Sequence, residues 1–144
     1  MLPYLILSRF EIAVNYPYEW QLPENLVYCD YLEHLFLHIL ICENPSPERD
    51  PIQPVGISGI IQFIVPELND VYSGYQSSQE WRRRCHSLVE NDKDVYLEFL
   101  KRLKQDYKND SSFQVESLFT SLNASFKTWS LEKNQVLFEE IKRL

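Results

Sequence analysis

Asp30, His34 and His38 stand at i, i+4 and i+8, with Cys29 and Glu33 beside them. On a helix that spacing aligns the three side chains on one side. Two imidazoles four residues apart can chelate one divalent metal such as zinc, and a carboxylate one turn earlier can add a third ligand. The bland reading of the same seam is the polar face of an amphipathic helix, since 3.6-residue periodicity produces such spacings without any metal.

Cys85 and His86 form a second pair, preceded by Arg82, Arg83 and Arg84. Neighbouring cations lower a thiol pKa and sharpen it as a nucleophile. Adjacent residues on a helix diverge by about 100°, however, so this Cys and His do not make a ready dyad. Cys85 also falls on an apolar stripe with Trp81, Leu88 and Val89, which predicts a buried, structural thiol. The arginine triplet can contact phosphate or an acidic partner, or form a solvated face with Glu80 and Arg84 as an i,i+4 pair.

The segment from Asn15 to Pro23 carries three aromatics, Tyr16, Tyr18 and Trp20, and two prolines, Pro17 and Pro23. Stiff aromatics near prolines serve as anchors for a protein partner, or as staples that fix a loop to its own core. No Walker-type loop, dinucleotide fingerprint or nucleophile elbow occurs, so the chain shows no catalytic signature.

The elements that position these residues follow from composition and period. The 144 residues are 44% hydrophobic and 14% aromatic, which suits one core and a single domain spanning 1–144. Only three glycines occur, Gly56, Gly59 and Gly74, so tight hairpins are poorly served and helices are favoured. All eight prolines precede residue 67, which leaves the second half free of that breaker.

After a capping-box pattern at Ser77 to Glu80, Trp81, Cys85, Leu88 and Val89 recur at helical spacing. A second stripe, Tyr96, Phe99, Leu100, Leu103 and Tyr107, has Asp92 and Asp94 at its start and Lys101, Arg102 and Lys104 toward its end. Val115, Leu118, Phe119, Leu122 and Phe126 form a third, behind Ser111 or Ser112 as cap. Leu137, Ile141 and Leu144 form a fourth, on a helix starting near Ser130 with Glu139 four residues before Arg143.

In the first half, residues 24–42 are apolar around most of a helical circumference, with Pro23 suited to the first turn. That pattern predicts a central helix surrounded by others. Residues 43–54 carry four prolines and read as an exposed loop. Residues 55–65 read as a helix stopped by Pro66, with a strand as the alternative. Residues 4–14 alternate in a strand-like way. The expected class is therefore mainly α, an irregular bundle of about five helices, with an α+β fold as the alternative if a small N-terminal β element forms.

The balance of 14 basic to 21 acidic residues gives a formal charge of −7. That charge disfavours nucleic acid and anionic lipid and favours a basic protein surface. Three cysteines without a C-x-x-C pair point to reduced thiols and a cytoplasmic setting. The apolar run from Leu35 to Cys42 falls short of the ~20 residues a membrane span requires.

The reading that follows is a small acidic helical protein acting non-enzymatically through protein–protein contact, as a regulator, adaptor or inhibitor of the immunity type. Tyr16, Tyr18, Trp20, Arg82, Arg83 and Arg84 are its partner-binding candidates, and a homo-oligomer is compatible with the aromatic content. The competing readings are a helical metalloprotein, with a hydrolase as one form of it, built on Asp30, His34 and His38, and a nucleic-acid or ribonucleoprotein accessory using Arg82 to Arg84.

Overall fold

The computed structural model describes residue 19 and residues 22–44, 56–106, 118 and 131–144. Within them the chain is helical, with no strand. A 3-10 turn (Pro23–Asn25) precedes α1 (Tyr31–Glu43), α2 (Ile57–Gly59), a π-helical segment (Ile60–Ile64), α3 (Val65–Tyr72), α4 (Glu80–Ser87), α5 (Lys93–Asp106) and α6 (Leu131–Lys142). The expectations for residues 4–14, for most of the 43–54 loop and for most of the 115–126 stripe lie outside the described residues.

The first long helix begins at Tyr31 rather than Glu24. Asp30 accepts hydrogen bonds from the Leu32 and Glu33 amides at 2.8 Å each, and Glu33 accepts from the Asp30 amide at 2.9 Å. This reciprocal capping box satisfies donors that a helix start leaves open and fixes the boundary there. Upstream, the 3-10 turn closes at Leu26, whose backbone is extended like that of Asp30, and residues 26–30 form no helix or strand. Helix α1 buries Leu32, Leu35, Ile39 and Cys42, while Leu37 is exposed, so the helix is flanked by neighbours and not enclosed by them.

The second apolar run is helical as expected, but Pro66 does not stop it. The Val65 amide donates to the Ile60 carbonyl, five residues back, and α3 continues through Pro66 to Tyr72. A proline ring clashes with the carbonyl four residues earlier and has no N–H to give. The wider π turn opens the ladder before Pro66, and the ring takes the second position of α3, where a missing donor costs little. A Schellman motif ends α3: the Tyr75 amide reaches the Asp70 carbonyl at 2.9 Å, the Gly74 amide reaches Val71 at 2.9 Å, and Gly74 takes φ +80°.

The core draws on every long helix except α4. Leu35 and Ile39 of α1, Ile60 and Leu68 of the second rod (the continuous run of α2, the π segment and α3, residues 57–72), Tyr96, Leu100 and Leu103 of α5, and Leu137 and Ile141 of α6 form one cluster with Val89 and Leu118. Burial of such side chains is worth roughly 1.5–3 kcal/mol each before conformational entropy is subtracted. One polar pin crosses it. Buried Asn69 donates to the Leu118 carbonyl at 3.1 Å, which aims its oxygen at the Tyr96 hydroxyl, 2.7 Å away. Tyr72 stacks on Tyr96 at 5.1 Å and donates to the Val89 carbonyl at 2.9 Å.

Candidate partner-binding face

The second rod presents Glu67 and Asp70 three residues apart, on the side that meets α4. Arg82 of α4 grips both oxygens of Glu67, through Nε to Oε1 and through Nη2 to Oε2 at 2.7 Å. The same Nη2 lies 2.8 Å from Oδ2 of Asp70, and the Tyr75 ring sits under the guanidinium at 5.3 Å. One turn further along α4, His86 Nε2 lies 2.6 Å from Glu67 Oε1. Tyr31, the first residue of α1, donates its hydroxyl to that same oxygen at 3.5 Å.

Burial pushes the Glu67 carboxyl up, but the hydrogen bonds from His86 and Arg82 and the Arg82 charge outweigh it and hold it at about 2. Hydrogen bonding to Glu67 likewise raises the Arg82 guanidinium above its ordinary value. Burial and the nearby Glu67 charge push the Tyr31 phenol up to about 12, so it stays protonated and remains a donor. The side chain of Asp70 is fully buried and that of Arg82 is 13% exposed. Charges this deep persist only when paired, so the network sets how α4 sits.

The consequence is a helix turned opposite to its hydropathy pattern. Arg82, His86 and Val89 face the interior, while Trp81 and Leu88 are 61% and 66% exposed with Cys85 partly exposed between them. The expectation that Trp81, Cys85, Leu88 and Val89 share a buried stripe holds only for Val89. Spacing places Trp81, Cys85 and Leu88 on one ridge but does not say which side of α4 meets the body. The start of α4 also differs from expectation: Gln79 is the cap residue, without a side-chain bond, and Ser77 Oγ accepts from the Gln79 amide at 3.2 Å.

Beside this ridge lies a groove of about 150 Å³ lined by Cys29, Asp30, Tyr31, His34, Cys85 and Leu88. In the chain its lining residue Cys29 is preceded by Leu26, Val27 and Tyr28, which are 50%, 87% and 87% exposed. The groove is thus walled by Cys85 and Leu88 of the α4 ridge and by the start of α1, where Asp30 stands in the lining and Glu33 is exposed.

Of the residues the sequence nominated, Tyr16, Tyr18 and Trp20 lie outside the described residues. Arg82 points inward, where carboxylates take its donors. Arg83 donates to the Ser77 and Ser78 carbonyls at 2.9 Å each, and Arg84 makes the expected i,i+4 pair with Glu80. Cys85 and His86 diverge as adjacent helical residues must, one into the groove and the other into the network. Asp30 serves as the α1 cap, and His34 and His38 approach each other one turn later. Among the described residues no group of three or more His, Cys, Asp or Glu side chains is placed to hold a metal ion. None of their helices is long and apolar enough to cross a membrane.

Sequence reasoning passed over Glu67, Asp70 and Tyr31. The one signal for the two carboxylates was their i,i+3 spacing behind a buried run, which also fits an exposed helix edge. No family model, no curated protein and no solved structure matches the chain.

Proposed function

We propose that this chain is a non-enzymatic interaction protein, of the regulatory or adaptor kind, whose docking face is the outward ridge of α4 and the groove beside it. The observation that carries the reading is the exposure of Trp81 and Leu88 on a helix whose other side is fixed inward by Arg82 and His86. Large apolar side chains grouped on one ridge mark a contact surface. Tryptophan is among the residues that most often dominate such contacts.

The occupant is an amphipathic helix of a partner protein with a basic flank. A ridge at i, i+4 and i+7 interdigitates with a matching ridge on another helix. The chain's formal charge of −7, and the Asp30 carboxylate in the groove, complement lysine and arginine and oppose a second acidic copy.

Calorimetry with two synthetic amphipathic helices, one Leu/Lys and one Leu/Glu, tests this. The expected result is 1:1 binding of the lysine helix alone, weakened by salt and reduced tenfold or more by Leu88→Asp. Equal binding of both helices, or binding indifferent to Leu88→Asp, overturns it. So does wild-type self-association that Leu88→Asp abolishes without any peptide binding, which assigns the face to a second copy.

A further inference from the structure

His34, which lines the groove, and His38 one turn further along α1 are held in an arrangement that helix docking does not call for. The His38 Nδ1 lies 2.9 Å from the Gly56 carbonyl, which can only accept, so Nδ1 carries the proton and Nε2 presents a lone pair. That lone pair is directed at His34, whose Nε2 is 3.2 Å away. The two rings are inclined at 60° with centroids 4.8 Å apart, so they do not stack and their edges converge.

The His38 ring is also fixed by its surroundings. A Cβ on Gly59 would stand 2.6 Å from His38 Cε1, and one on Gly56 would stand 3.3 Å from Nδ1. The two glycines form a close cradle around one imidazole. The His34 side chain is exposed, and its ring is free to exchange its proton with water.

We infer that His34 and His38 form a two-nitrogen chelate for a divalent transition ion of the zinc or nickel type, bound through both Nε2 atoms with its remaining positions open. Metal–nitrogen bonds of about 2.0–2.1 Å put two ligands about 2.9 Å apart at a right angle and about 3.3 Å apart at a tetrahedral angle. The observed 3.2 Å falls between these values. The Gly56 carbonyl plays the outer part that fixes tautomer and ring direction in such sites.

Without metal, one Nε2–H bridges the pair. Because His38 already carries its proton on Nδ1, the bridging proton belongs to His34. On metal binding, His34 shifts that proton to Nδ1 through solvent, and both Nε2 lone pairs turn to the ion, with no net proton released from two neutral rings. Asp30, spaced as a third ligand in the sequence, already accepts two backbone bonds on Oδ1, so the pair stands without it.

Zn2+ is titrated into untagged full-length protein against a chromophoric chelator, and Co2+ is followed by its visible spectrum. The expected result is one ion per chain, a cobalt spectrum without a thiolate charge-transfer band, and affinity lowered tenfold or more by His34→Ala. The exposed position of His34 lets that variant fold, and Cys29→Ser is expected to leave binding unchanged. Affinity that survives His34→Ala, or falls only with Cys29→Ser, overturns the assignment. So does an absence of binding at millimolar Ni2+ and Zn2+.

Discussion

The Arg82 guanidinium clasps the Glu67 carboxylate side-on, one nitrogen to each oxygen, and so joins α4 to α3. Paired forks of this kind are among the stronger polar contacts because both donors lie in one plane. With Asp70 behind the arginine and His86 beside the glutamate, the contact fixes which side of α4 faces the body.

Removing the guanidinium leaves two carboxylates in a site that excludes most water. Arg82→Met is expected to cost about 3 kcal/mol, the range found when one partner of a buried pair is deleted. Urea denaturation monitored by circular dichroism gives the value directly. A cost below about 0.5 kcal/mol would mean that the clasp does not hold α4.

Acid should weaken the fold in two stages. Glu67 is depressed to about 2 from 4.5, so its contribution is complete above about pH 4.5 and is lost as pH falls toward 2. It amounts to at most about 3 kcal/mol. The His34 pKa is lowered from 6.5, mainly by burial and then by His38, so protonating it below that value also opposes folding. Urea midpoints across this range should flatten in the lower stage for Glu67→Gln and in the upper stage for His34→Ala.

The Asn69 pin predicts a coupled pair of variants. Asn69→Leu strands the Tyr96 hydroxyl and the Leu118 carbonyl in the core, at a cost of about 2–3 kcal/mol, and Tyr96→Phe costs about 1 kcal/mol. The double variant should cost less than the sum, because the second change removes a group the first left unpaired. Strict additivity in a double-mutant cycle would remove the Tyr96 contact from the account.

Gly59→Ala sets two effects against each other. Helix propensity favours alanine by about 1 kcal/mol. The new methyl would meet His38 at 2.6 Å, and that ring is held on the Gly56 carbonyl. The clash should win, lowering the thermal midpoint, and NMR should show the His38 ring resonances displaced. A more stable variant with an unmoved ring would show that the cradle has slack.

Trp81→Ala and Leu88→Asp should leave stability within about 0.5 kcal/mol, since both side chains are mostly exposed. A large loss on thermal denaturation would place them in contact with the body of the protein and remove the docking ridge.

Much of the helical scaffold could be read from residues alone. Tyr96, Leu100 and Leu103 recur at the helical interval and are buried, as are Leu137 and Ile141. Asp92 and Asp94 stand at the start of α5 as its dipole requires. Asp30 to Glu33 also spelled the α1 cap, but the apolar residues upstream, Leu26 to Tyr28, suggested an earlier start. Hydropathy could not separate a buried turn of helix from an exposed, non-helical strip of the same composition.

What the chain determined by itself was the existence of its helices and the inward stripes of α5 and α6, where the apolar period meets no buried arginine that turns the helix the other way. Tertiary structure alone decided the rotation of α4, the passage of the rod through Pro66, and the meeting of His38 with Gly56 and Gly59. Each depends on a group from a distant part of the chain. A buried arginine is tolerable only where carboxylates from another helix reach it, and a proline only where the preceding turn has already widened. Short-range periodicity carries neither condition.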